Sequence, residues 1–274
     1  MIERGRWTLT GLLLIGSAAV LLPFLWMVTS SLKPPLEQAA IPPRLLPEQW
    51  ILSNYPAVFD LHPMGRYFLN SLVVSSFTTI SAVLLAALAA YGFAKQRFPA
   101  RQFLFILILS KLVVPAYFNL IPRFVIVQNL GLLDTLTGIM LPELFTVYGV
   151  FWLRQYMLGV PDELLDAGRL DGASEWTIFW RIVLPQCYPA LAALAIVRFL
   201  WSWEEFIWPL IVIQTDANKT MAIGLASYSP IEVTFADYGI IMAAATVAVV
   251  PVVVFYLLLQ RRFIQGVTMS GFKA

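Results

Sequence analysis

The chain has 274 residues, of which 59% are hydrophobic and only 12% charged, against about 25% charged in an ordinary soluble domain. That balance excludes a soluble globular fold and points to an integral membrane protein. A formal charge of +2 with no basic patch excludes a nucleic-acid-binding surface, and one cysteine with one histidine, His62, gives neither a disulfide nor a metal-ligand set.

A membrane-crossing helix needs about 20 mostly apolar residues. Six such runs occur, near 9–31, 68–94, 102–122, 135–157, 187–213 and 237–260. The expected fold is an all-α integral membrane protein with six transmembrane helices, in one domain covering 1–274. The first run follows a basic start and could be read as a cleaved secretory signal, but its apolar length favours an uncleaved span.

Between the first two runs, residues 33–66 are polar and rich in proline, which disfavours a continuous helix and predicts an external loop. The second run is rich in Ser, Thr, Ala and Gly, small residues that let helices approach closely in lipid. Placing Met1 in the cytoplasm puts Arg4, Arg6, Lys95, Arg97, Arg101, Arg154, Arg169, Arg181, Arg261, Arg262 and Lys273 inside. That is eleven of the eighteen Lys and Arg residues, with Arg123 among those counted outside. The bias predicts two cytoplasmic termini and a cytoplasmic loop at about 159–185.

Gly11 and Gly16 have the glycine spacing of a phosphate-binding loop, but Ser17 stands where the lysine is required and both lie in an apolar run. The chain is therefore not expected to hydrolyse ATP, to be an enzyme or to need a cofactor.

The 159–185 loop interrupts this apolar pattern with charge. Pro161 suits a helix start, with Asp162 and Glu163 near its positive end. That helix is expected to reach about Leu170. Asp171-Gly172 signals a turn, at a point where a side chain could be excluded, and Ser174 caps a second helix. In that helix Trp176, Phe179, Trp180 and Val183 recur at i, i+3, i+4 and i+7, predicting an amphipathic aromatic stripe that ends at Pro185.

The stretch Asp166-Ala167-Gly168, Arg169-Leu170, Asp171-Gly172-Ala173, closing with Leu184-Pro185, resembles the cytoplasmic loop of binding-protein-dependent ATP-binding-cassette importer permeases. That pattern runs Glu-Ala-Ala, two residues, Asp-Gly-Ala, then an apolar stretch to Leu-Pro. Asp166 and Gly168 depart from it, the glycine lowering helix propensity by up to ~1 kcal/mol. "NLGLLDT", "FIWPL" and the tail "QRRFIQGVTMSGFKA" are similar to the carbohydrate-importing branch, in particular to a maltose-type second permease subunit.

The resemblance implies a prokaryotic inner (plasma) membrane location and a carbohydrate or related polar solute. It also implies three partners: a second permease subunit, a cytoplasmic ATPase dimer and an extracytoplasmic solute-binding protein. Asp166, Ala167, Gly168, Asp171, Gly172 and Ala173 would then form the coupling element seated in the ATPase.

Ionisable groups inside spans usually face a bundle interior or aqueous path, which singles out Lys111, Glu143, Arg198, Glu204 and Glu205, with structural ion pairing as the alternative. Arg198, Trp201, Glu205 and Trp208 would share roughly 80° of a continuous helix. An aromatic and carboxylate face suits a sugar, though packing against neighbouring helices explains it equally. The family's Trp, Asn, acidic, Phe motif maps onto Trp203, Glu204, Glu205 and Phe206, with Glu204 departing from it. The competing functions are an ion-coupled secondary transporter using Lys111, Glu143 or the Glu204–Glu205 pair, and, more remotely, an intramembrane hydrolase using Glu143 and Glu204.

Overall fold

A computed structural model describes residues 2–228 and 238–271, with side chains for 9–115, 117–228 and 238–258. The tail motif and Arg4, Arg6, Arg261, Arg262 and Lys273 lie outside the described side chains. Among the described residues every regular element is helical.

In chain order these are α1 (Ile2–Ser31), α2 (Pro35–Gln38), α3 (Asn54–Leu61), α4 (Met64–Lys95), α5 (Arg101–Ser110), α6 (Leu120–Asn129), α7 (Leu136–Met140) and α8 (Val147–Met157). They are followed by α9 (Asp162–Leu170), α10 (Glu175–Ile178), a π-helical turn (Phe179–Val183), α11 (Leu184–Gln186), α12 (Tyr188–Glu204), α13 (Ile207–Val212), α14 (Met221–Ala226) and α15 (Tyr238–Gly271).

Three stretches, Leu9–Ser31, Met64–Lys95 and Tyr238–Leu258, are each long and apolar enough to cross a membrane. Up to six result when three bent pairs count as one span each: Arg101–Val113 with Tyr117–Asn129 (95°), Leu136–Glu143 with Val147–Met157 (42°), and Glu175–Gln186 with Tyr188–Glu204 (78°), the first arm of the last pair being the amphipathic end of the 159–185 loop. The first break follows the sequence, since Pro115 lies within it and lacks a backbone donor, and the second falls where Thr146 turns extended and caps α8. Pro185 does not end the helical path as expected. It sits at the start of α11, where its missing N–H is no loss, and the bend falls beyond it at Cys187.

The chain forms two compact units, Met1–Arg66 with Ile223–Val250, and Tyr67–Ala222 with Pro251–Ala274. In the first, buried side chains tie the proline-rich stretch together. Asn54 Nδ2 donates to Ser31 O (2.8 Å) and Lys33 O (3.1 Å), Gln38 Nε2 donates to Ser30 O (2.6 Å), and Tyr228 Oη donates to Val58 O (2.6 Å). His62 is half-buried with its ring edge-on to Tyr228 at 4.7 Å, not exposed in a loop as its neighbours suggest.

The second unit is built on the small-residue face of α4. Ala86, Ala87 and Ala90 are fully buried and pack with Val150, Leu153 and Met157 of α8, Leu165 of α9, Ile178, Phe179 and Val183 of the following helix, and Leu194 of α12. Of α4's most apolar window 39% is buried within the chain, against none for α1, so α4 is the central strut of this core.

Candidate functional site

Two constellations carry the sequence-predicted residues, the loop around 159–186 and a cavity beside α12. In the loop, Pro161 takes the N-cap position instead of the first helical one, and Asp162 opens α9. The helix closes after Leu170 in a Schellman motif: Gly172 N–H donates to Arg169 O (3.0 Å) and Ala173 N–H to Gly168 O (2.9 Å). Gly172 has φ +78°, the left-handed region that favours glycine. A Cβ placed on it would meet nothing within 4 Å, so the turn selects glycine by backbone conformation and not by exclusion of a side chain. Ser174 then caps α10, its Oγ accepting Thr177 N–H at 3.2 Å.

Gly168 is buried, and a Cβ there would approach Ile182 Cδ1 to 2.7 Å, so its departure from alanine matches a close approach of α9 to the following helix. Asp166, Ala167 and Asp171 are exposed. Asp166 Oδ1 accepts Arg169 Nη1 at 2.8 Å, an i,i+3 surface pair worth only about 0.2–0.5 kcal/mol. Burial of Leu165, Ile178, Phe179 and Val183, at about 1.5–3 kcal/mol each, is what anchors the loop.

The expected aromatic stripe divides. Phe179 and Val183 are in the core while Trp176 and Trp180 face outward, because the buried face of this segment runs through Ile178, Phe179 and Val183.

Glu175 collects three donors: Tyr91 Oη (2.6 Å), Gln96 Nε2 (2.5 Å) and Arg169 Nε (2.8 Å). The Arg169 hydrogen bond, then that of Tyr91, hold its carboxyl down to about 2. Lys95 Nζ donates to Val160 O and Asp162 Oδ1, both at 2.6 Å, and lowers the Asp162 carboxyl by that hydrogen bond. In the sequence Lys95 stands out only as a topology charge, and nothing marks Tyr91 or Gln96. The one available signal was a basic residue closing a long apolar run.

Arg198, Trp201, Glu205 and Trp208 come together around one cavity of about 320 Å³, joined by Arg123 and Glu143. They do not share a continuous helix. α12 stops at Glu204, Glu205 is extended, and Glu205 Oε1 accepts Trp208 N–H (3.1 Å) at the start of α13. A helical break thus builds the cavity wall.

Glu143 joins two arginines, with Arg123 Nη2 at 2.6 Å from Oε1 and Arg198 Nη2 at 2.5 Å from Oε2 and 2.9 Å from the Glu143 carbonyl. Arg123, counted from sequence in an outside connection, lies in α6 with its guanidinium 4.0 Å over the Trp208 ring. Trp208 is 1% exposed and Arg198 8%, whereas Trp201 is 51% exposed and Glu205 is half-buried. Only Trp201 and Glu205 present substantial surface, so Arg198 and Trp208 act in the wall through pairing and packing. Lys111 and Glu204 are exposed. Among the described residues no group of three His, Cys, Asp or Glu side chains is placed to hold a metal.

The described chain is thus an apolar, bent-helix bundle with one structured polar loop, the architecture of an integral membrane protein. The pattern of the "binding-protein-dependent transport system inner membrane component" matches residues 82–269, and the chain belongs to that family. It is 35% identical to the diacetylchitobiose uptake system permease protein NgcG of Streptomyces coelicolor over 96% of this chain and 87% of that protein. It is equally identical to the arabinooligosaccharides transport system permease protein AraQ of Bacillus subtilis, over 98% and 96%. A chain from the crystal structure of a bacterial ABC transporter involved in the import of alginate shares the fold, with TM-score 0.83 at 20% identity over 96% and 98% of the two chains. None of these likenesses supports the ion-coupled alternative.

Proposed function

We propose that this chain, as a single permease domain, pairs with a second permease subunit to form the inner-membrane path of an ATP-driven importer for an oligosaccharide. A cytoplasmic ATPase dimer drives it and an extracytoplasmic solute-binding protein supplies it. Both termini and the 159–185 loop face the cytoplasm. The observation that carries this reading is the helix, Schellman turn and capped helix at Asp162–Ile178, with Leu170 89% exposed at its tip. An anchored loop presenting apolar and charged side chains suits a partner's groove. Asp166, Ala167, Gly168, Asp171, Gly172 and Ala173 form this coupling element.

Arg198, Trp201, Glu205 and Trp208 flank the solute path. Trp201 offers a ring to a sugar's apolar face, and the remaining Glu205 oxygen accepts from a hydroxyl. The substrate class follows the relatives named for diacetylchitobiose and arabinooligosaccharides.

The test is ATP-dependent uptake of these two sugars into vesicles holding the complete complex. Wild type should take up at least one, Leu170→Asp should lose bound ATPase, and Trp201→Ala should keep the ATPase but lose uptake. Uptake that persists without the ATPase would overturn the reading.

A further inference from the structure

The two short helices of the loop each open with an acidic residue, and both acids reach the same end of α4. Asp162 takes Lys95, whose side chain is only 4% exposed and whose second bond goes to Val160 O. Glu175 takes Tyr91 and Gln96 on Oε2 while Oε1 takes Arg169. The donors Tyr91, Lys95 and Gln96 fall within six consecutive residues at the end of α4, Gln96 directly after its last residue. In sequence α4 does not border the loop, which lies between α8 and α12.

α4 also reaches the cavity. Val74 lines it, and Thr78 Oγ1 shares a 2.9 Å hydrogen bond with Ser202 Oγ of the cavity wall. Twenty-one residues separate Val74 from Lys95, about 32 Å of helix at 1.5 Å per residue. No proline interrupts that length, so a displacement at one end is carried to the other.

We propose that Lys95 and Glu175 are positioning residues that clamp the coupling loop to α4, so that movement of the loop is delivered to the cavity wall through α4 as well as along the chain through α12. The inference rests on the coupling role of residues 159–185. Burial of Leu165 and Phe179 already holds the loop in place, so three polar donors converging on one carboxylate go beyond what anchoring requires.

The test uses the complete complex and reads thiol reactivity of two exposed reporters, Phe77→Cys on α4, beside the Thr78 that bonds the cavity wall, and Trp201→Cys on α12. Each is compared without nucleotide and with ATP plus vanadate. The native Cys187 is buried and gives little background. In the otherwise unaltered chain both reporters should change with nucleotide.

With Lys95→Met and Glu175→Gln together, the Phe77→Cys response should fall about tenfold while ATP hydrolysis and the Trp201→Cys response persist. Lys95→Arg should keep both. If the double variant does not assemble, Tyr91→Phe with Gln96→Leu removes two donors from Glu175 and should show the same split.

Unchanged responses at both reporters in the unclamped chain overturn the clamp, as does an equal loss at both. If neither reporter responds in the otherwise unaltered chain, the coupling reading beneath it fails instead.

Discussion

Replacing Gly172 separates backbone conformation from bulk. At φ +78° an ordinary L-residue is strained by about 1–2 kcal/mol, while asparagine tolerates the left-handed region best after glycine. Because a Cβ there meets nothing within 4 Å, size adds no further cost. The expected order of retained function is Gly, Asn, Ala, Val, with Asn ahead of the smaller Ala. A strain of 1–2 kcal/mol lowers the population of the closed turn by about 5- to 30-fold. Hydrogen exchange at the Ala173 amide, which donates to Gly168 O, reads this opening directly. Exchange should accelerate least for Gly172→Asn, and substrate-stimulated ATP hydrolysis should fall in the same order. An order that follows side-chain volume, or unchanged exchange in Gly172→Val, would refute the argument.

Glu143→Gln should lower the melting temperature of the purified complex. Breaking a fully buried charge network costs about 3–5 kcal/mol, and the 27% exposure of this side chain trims that figure. Replacing Arg123 by Met in the same chain should recover part of the loss, as a double-mutant cycle would measure. In cells lacking the ATPase, membrane-impermeant labelling should modify Leu52→Cys when the cells are intact and Leu170→Cys only after permeabilisation, since both positions are well exposed on this chain; the reverse pattern would overturn the topology. Glu175 is depressed from its ordinary 4.5 to about 2, so its contribution is fully present above about 4.5 and fades as pH falls from there toward 2. Protection of the 160–175 amides should therefore be flat between neutrality and pH 5, and a loss centred near pH 6 would contradict the assignment.

The loop was legible because its signals are local. Asp162 in the first turn, Gly172 at the left-handed position and Ser174 at a cap each act within three or four residues of themselves. The six apolar runs were legible for the same reason, since length and composition define them. What escaped was long-range partnership. Nothing near Lys95 announces Asp162, 67 residues on, and nothing near Arg123 announces Glu143 or Trp208. The helical wheel through Arg198, Trp201, Glu205 and Trp208 found residues that meet at one cavity while misjudging how, because the break at Glu205 leaves no proline or glycine at that position to mark it.

The π turn at Phe179–Val183 also bears on how this chain is matched residue by residue to its relatives. Five residues there occupy a path that an α-helix would cover with about four. Setting such a segment against an uninterrupted α-helix leaves one side without a counterpart residue. Placing that gap on the wrong side of the turn shifts every later correspondence by one position, about 100° around a helix. A pairing that sets Val197 or Phe199 opposite a relative's cavity residue would exchange a wall position for one that does not line the cavity, so alignments of this family are best anchored separately on Gly172 and on Trp203.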